Sequence, residues 1–332
     1  MPEIARRGLM IGAGLAGGAV AARVAAWADT PQLLWTAEYW ARKGEVSLYL
    51  YRKRLAAPTS GEANPPVLFL VHGSSISARP SFDLTVPGAG EYSLMNVFAR
   101  HGFDVWTMDF EGYGRSTVTA GNSDIRSGVE DLRAGTDVVV RKTGLRKAHF
   151  MGESSGAIRA AAFAMAEPER VDRLVLEAFT YTGKGSPTLG KRVEQLEYYR
   201  THNRRPRGID MIRSIFTRDR PGTSDPRVAD ALAAAELPFG DTVPTGTYLD
   251  MTAHLPLVDP RRVLSPVLIV RGQYDGISTD ADLLDFFTQL PNPDRQYAII
   301  AGAAHSVTLS LNRAGLWHCM HAFLTMPKPV SV

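Results

Sequence analysis

Two spacings of apolar residues take turns along the chain from Glu45 to Leu324. Residues 46–51 alternate apolar and polar, the period of a half-buried strand. Residues 66–71 form an unbroken apolar run, as expected of a strand covered on both faces. Further strands are predicted at 104–109, 148–152, 174–176, 266–270 and 296–300. Between them, 91–100, 127–141, 156–165, 281–290 and 311–324 carry helical spacing, and the aromatic stretch 34–40 also reads as helical. Strands alternating with helices imply an α/β protein, its sheet mainly parallel, twisted and covered on both faces. Residues 180–260 break this rhythm with several helical patterns, proline-containing turns and the aromatics Tyr198, Tyr199, Phe216 and Tyr248. That is too long for a simple connection and is expected to form a helical cap.

Composition fits a folded chain. Of 332 residues, 45% are hydrophobic and 21% charged, which excludes disordered, collagen-like and coiled-coil proteins. No stretch reaches 18 apolar residues without glycine interruptions, so a multi-span membrane protein is excluded as well. The single cysteine, Cys319, cannot form an internal disulfide, and stability must come from a core. Beside His318 and His321 in the last predicted helix, Cys319 reads as a packing residue.

The first 28 residues stand apart. They hold four charges (Glu3, Arg6, Arg7 and Arg23) and a weakly apolar Ala/Gly-rich run over 8–20. Ala26, Trp27 and Ala28 then give a small-x-small pattern of the kind signal peptidases cut. The Arg6–Arg7 pair resembles a twin-arginine export signal, with Ala5 where Ser or Thr is usual. The expectation is an export leader at 1–28 and a periplasmic or secreted mature chain without a stable membrane span. The alternative is a cytoplasmic protein, or one anchored by an uncleaved leader. A literal G-x-G-x-x-G also falls here, at 12–17. A dinucleotide site needs a preceding strand and an acid about 20 positions on. The run 9–11 is too short and Glu38 lies too late, so leader composition explains the match better. Losing three arginines and one glutamate with the leader lowers the formal charge from +3 to +1. The case for nucleic acid as a partner goes with it.

Chemistry gathers at the ends of the predicted strands. Gly152, Glu153, Ser154, Ser155 and Gly156 form G-x-S-x-G between an apolar strand and a helix. A strand turning sharply into a helix forces strained dihedrals on its middle residue, and the flanking glycines let the backbone pass closely. Ser154 is therefore the candidate nucleophile. A serine hydroxyl needs a base. Of the eight histidines, His305 follows the last strand in the small-residue loop after Gly302, Ala303 and Ala304, at the sheet edge where such folds bind ligands. The others read as strand, helix or cap residues. An acid must orient the imidazole. Asp275, shortly after the 266–270 strand, is favoured. Asp280 and Asp282 read as the cap and first turn of the next helix, and Glu177, at the end of the 174–176 strand, is the rival.

The order Ser154, Asp275, His305 resembles that of the α/β-hydrolase family, over about 45–326. The resemblance implies a core at 29–180 and 261–332, with a helical cap at 181–260 inserted after the sixth strand. His72 and Gly73 look like the family's His-Gly motif, so the backbone N–H groups of Ser74 and Ser155 would form the oxyanion hole. Asp109, Gly112, Gly114 and Ser116 resemble a mostly structural loop. A serine nucleophile implies an acyl-enzyme route and a carboxylesterase acting on a small-molecule ester. The alternatives are the same triad acting on an amide, thioester or C–C bond, or a non-catalytic binding protein on this fold. No Cys/His cluster has ligand spacing, so neither metal nor cofactor is implied.

Charge divides the cap. Between 183 and 222 there are ten Lys or Arg against four acids, and from 223 to 259 six acids against one arginine. A cationic half would suit an acidic substrate such as the monoester of a dicarboxylic acid. The favoured expectation is that the two halves pair with each other or face solvent.

Overall fold

The computed structural model describes residues 33–327. The expected leader at 1–28, with its arginine pair and its G-x-G-x-x-G, lies outside the described residues. Among the described residues ten strands run in chain order: β1 (Trp35–Lys43), β2 (Val46–Arg54), β3 (Val67–Val71), β4 (Asp104–Met108), β5 (Ala148–Glu153), β6 (Val171–Glu177), β7 (Arg204–Pro206), β8 (Thr242–Pro244), β9 (Val267–Gly272) and β10 (Arg295–Ile300). Eight form one sheet in the order β1-β2-β4-β3-β5-β6-β9-β10, and β7 pairs with β8 alone. Pairing is antiparallel from β1 to β4 and parallel from β4 to β10.

Residues 34–40 are not helical. Trp35–Lys43 is a strand whose residues alternate between sheltered and exposed, and it folds back on β2 through Gly44 at φ 57°. The aromatic and β-branched residues Trp35, Thr36, Tyr39 and Trp40 suit a pleated surface, and Tyr39 stacks on Trp106 at 5.1 Å. Period two outweighs the helical reading here. This edge strand also makes β6 the sixth strand among the described residues.

Helices α1 (Ala78–Phe82), α2 (Leu94–Arg100), α3 (Ile125–Thr143) and α4 (Ser155–Ala166) connect the first six strands. The sheet is buried on both sides. Phe69, Trp106 and Phe150 face a cluster with α3 and α4, while Leu68, Leu70 and Val105 pack on α2 and the last helix. This explains the unbroken apolar run of β3, since both faces of that strand need apolar side chains.

Between β6 and β9 lie α5 (Pro187–Arg192), α6 (Leu196–Thr201), α7 (Ile209–Thr217), α8 (Pro226–Glu236) and α9 (Gly246–Ala253). Apolar residues of α7 and α8 (Ile212, Phe216, Val228 and Leu232) pack with Ile76, Leu84, Tyr92 and Leu309 of the core. Helices α10 (Asp280–Gln289) and α11 (Arg313–Leu324) complete the chain, with Cys319 packed against the α11-side cluster. Among the described residues no helix is long and apolar enough to cross a membrane.

Where α4 leaves β5, backbones nearly touch. A Cβ on Gly156 would lie 2.1 Å from the Val71 carbonyl oxygen, and one on Gly152 would lie 2.3 Å from the Gly156 carbonyl. Both partners are backbone and cannot swing away. Gly156→Ala is expected to cost ~3 kcal/mol or more in urea unfolding, a cost typical of severe overpacking. Gly190→Ala in α5, where nothing lies within 4 Å of the added carbon, should be neutral or slightly stabilising. Equal unfolding midpoints for the two variants would refute this account of the crossing.

Candidate active site

Ser154 ends the strand and precedes the helix with φ 59° and ψ −124°. A left-handed backbone at a serine costs on the order of 1–3 kcal/mol and persists only where the surroundings enforce it. Here the Ser154 N–H donates to the Glu177 carbonyl at 2.9 Å, and α4 begins at the next residue. Position one of a helix has no intrahelical acceptor for its N–H, which leaves the Ser155 donor directed out of the helix start.

His305 and Asp275 arrive from loops after β10 and β9. The Ser154 hydroxyl lies 3.1 Å from His305 Nε2, and His305 Nδ1 lies 2.9 Å from Asp275 Oδ1. Asp275 Oδ1 also accepts from the Ile277 N–H at 2.9 Å. Burial by itself would raise the Asp275 carboxyl, but the charge and hydrogen bond of His305 and the Ile277 N–H together hold it below the usual range. Gly272 lets this corner close, because a Cβ there would lie 2.1 Å from the Ala304 carbonyl oxygen.

The rival acid sits elsewhere. Glu177 Oε1 accepts from the Val307 N–H at 3.2 Å and props the histidine loop from below. Burial, followed by the nearby Glu153 and Asp275, raises Glu177 well above the ordinary carboxylate value, which favours its neutral form. Glu153 is pushed up to about 7, first by burial and then by the charge of Asp275. Thr279, rather than Asp280, caps α10. Asp282 lies in the first turn of α10 as expected, and it also accepts from the N–H groups of Tyr181 and Thr182, both at 3.0 Å, where the cap insertion begins.

The other histidines have different work. His72 is buried between Phe110 and Tyr113, accepts at Nε2 from the Phe110 N–H and lies 2.8 Å from the Gly73 carbonyl through Nδ1. Burial, followed by the charge of Arg159, lowers it to about 3, so it is a neutral structural group. His202 stacks on Tyr198, His254 pairs with Asp250, and the His101 and His321 rings face each other. His149 lies 3.6 Å from Asp172. Asp109 secures its loop by accepting from the N–H groups of Ala78 and Arg115.

The structure brings the two expected oxyanion residues together, with the Ser74 hydroxyl donating to Ser155 Oγ at 2.8 Å. Sequence reasoning missed what holds Ser74. Thr247 of α9 donates to Ser74 Oγ at 2.8 Å, and the Tyr113 hydroxyl donates to the Ser74 carbonyl at 2.9 Å. Tyr248 bonds the Ser75 hydroxyl at 2.7 Å, while Glu236, paired with the buried Arg207, accepts from the Ser77 N–H. The 74–77 loop is thus held by the cap. A partner 173 positions away leaves no trace in local spacing.

The cap charges divide in an unexpected way. Arg207 pairs with Glu236 and Arg213 with Asp230, joining the basic half to the acidic half as expected. Arg192 and Arg218 do not follow that pattern. They line the cleft that holds Ser154 and His305, and with Arg205 they also line a larger adjoining cavity. The expectation of paired or solvated cap charges fails for Arg192, which is part-sheltered and has no carboxylate partner among the described residues, whereas Arg218 lies 3.4 Å from Asp219. Asp219 comes down beside them, with a carboxylate oxygen within 4.8 Å of the facing atoms of Asp275 and His305.

Comparison with known proteins bears on the family and the fold. Two relatives named 2-hydroxy-6-oxononadienedioate/2-hydroxy-6-oxononatrienedioate hydrolase are similar in part. That of Paraburkholderia phymatum is 33% identical over 38% of this chain and 39% of its own length. That of Burkholderia vietnamiensis is 34% identical over 36% and 38%. The chain thus spans well under half the length of the relatives it matches. Among solved structures, the carboxylesterase CesB of Bacillus subtilis superposes with a TM-score of 0.60 at 17% identity, over 90% of this chain and 94% of its own. A carboxylesterase structure from Nitrososphaera gargenis gives 0.63 at 16% identity, over 87% and 98%. At such identities the likeness shows the α/β-hydrolase fold alone. The family model described as serine aminopeptidase, S33, matches residues 86–311, well over half of the chain, from the loop before α2 to the loop beyond His305. The chain belongs to this S33 family of α/β-hydrolases.

Proposed function

We propose that the protein is a carboxylesterase that cleaves small carboxylic esters through an acyl-enzyme. Supporting this reading is the hydrogen-bonded chain from Ser154 through His305 to the ionised Asp275, beneath a capped cleft. Ser154 Oγ adds to the carbonyl carbon as its proton passes to His305 Nε2. The backbone N–H groups of Ser74 and Ser155 receive the oxyanion, and each such donor typically contributes about 3 kcal/mol to the transition state. The intermediate collapses, and the leaving alcohol takes the proton from His305. Water then adds to the acyl-enzyme with His305 again as base, releasing the acid and restoring Ser154. A second reading, cleavage of a carbon–carbon bond by the same residues, draws on the partial similarity to the oxononadienedioate hydrolases.

The parent should be labelled by a fluorophosphonate and turn over p-nitrophenyl esters of graded chain length, with both signals lost in Ser154→Ala. Labelling without turnover of any ester would favour the carbon–carbon reading, and no labelling would defeat the serine mechanism. Asp275→Asn should lower kcat by about four orders of magnitude, the loss seen when a triad histidine is left in the wrong tautomer. Glu177→Gln, replacing a neutral acid by its neutral analogue, should keep most of the activity. A reversed ranking of these two kcat values would make Glu177 the catalytic acid.

From the leader composition we also propose export through a twin-arginine route, with cleavage after Ala28. Sequencing the N-terminus of the protein from its native host should read from Asp29. A start at Met1 or Pro2 would exclude cleavage.

A further inference from the structure

The cap brings a concentration of positive charge to the nucleophile. Arg192, the last residue of α5, and Arg218, just past α7, border both the narrow cleft at Ser154, about 40 Å³, and the adjoining cavity of about 400 Å³. Lys191 and Arg205 also line the larger space, against the acids Glu194 and Asp219. These cations are not equivalent. Arg218 Nε lies 3.4 Å from the Asp219 carboxylate, and Arg205 lies over the Tyr248 ring at 4.7 Å.

Arg192 differs from both. Its polar contact is Met251 Sδ at 3.9 Å, and it lies 5.1 Å from the centre of the Tyr248 ring. Among the described residues no carboxylate pairs with it. Several other arginines that the fold buries are engaged by protein oxygens, though Arg159 keeps Nε and Nη1 without a hydrogen-bond partner. Arg52, Arg173 and Arg207 hold Asp104, Asp294 and Glu236, and Arg159 donates to the Ser123 carbonyl. Loss of water, with the like charges of Arg218 and Arg205, lowers the Arg192 guanidinium to about 10. It therefore still carries its proton at neutral pH. A sheltered cation beside two others, facing open space, lacks a counter-charge that a ligand can supply.

We propose that Arg192, supported by Arg218 and Arg205, is a subsite for an acidic group on the substrate, a carboxylate or a phosphate monoester, and that the protein acts on anionic substrates. The forked guanidinium donors suit the paired oxygens of either group. The proposal rests on Ser154 being the nucleophile, because the subsite is defined by the cleft it shares with that residue. The same charges disfavour a protonated amine, so an N-terminal peptide is a poor fit.

The test measures how fast a fluorophosphonate labels Ser154 at constant ionic strength, with glutarate, butyl phosphate or neutral 1,5-pentanediol present. At least one of the two anions should slow labelling of the parent, and the diol should not. Which anion protects at lower concentration identifies the acidic group. Arg192→Met should weaken protection at least tenfold, the scale of one lost charge-assisted hydrogen bond, and Arg192→Lys should lose less. Parent labelling unaffected by both anions, or Arg192→Met protected as well as the parent, would overturn the subsite. Failure of the parent to label at all would instead strike at the serine mechanism.

Discussion

Ser154 is held at a backbone angle that few serines adopt, and the enforcement comes from both sides of the crossing between β5 and α4. Gly152 and Gly156 remove the side chains that would keep β5, α4 and the end of β3 apart. The Ser154 N–H is tied to the neighbouring strand, so the residue cannot relax without opening the sheet edge. The β3 end that Gly156 touches leads directly into His72, Gly73 and Ser74. One close backbone approach therefore positions both the hydroxyl and the loop expected to receive the oxyanion. The strain is small beside the burial of the surrounding core, and it persists for that reason.

Electrostatics below the nucleophile have a similar economy. Glu153, Glu177 and Asp275 lie near one another in a dry environment, where three negative charges are not sustainable together. The charge and hydrogen bond of His305 favour ionisation of Asp275, while burial and the neighbouring acids push Glu177 toward its neutral form. Glu177 is useful as a neutral prop, since its contact with the Val307 N–H steadies the loop that carries the histidine.

The cap is a structural part of the site as well as its cover. Thr247, Tyr248 and the Arg207–Glu236 pair fix the loop that carries Ser74, while α5 and the end of α7 supply the cationic wall. The charge imbalance noticed along the cap thus resolves into two uses. Part of it joins the halves of the insertion, and part faces the cleft.

By itself, the sequence determined the alternation of strands and helices, the place of the insertion, the Ser154 turn and the candidates His305 and Asp275. Each depends on neighbours in the chain: an apolar run before a turn, glycines flanking a serine, a small-residue loop after a strand. Local pattern failed at 35–43, where alternating burial on an edge strand makes aromatic residues look helical. Only the tertiary structure shows which acid meets His305, because Glu177 ends β6 and Asp275 follows β9 by three residues, and only Asp275 makes the hydrogen bond. It also decided which cap arginines are neutralised and which face Ser154. Charge counting cannot separate those cases, since pairing depends on distances across the fold, and the partners lie far apart in sequence.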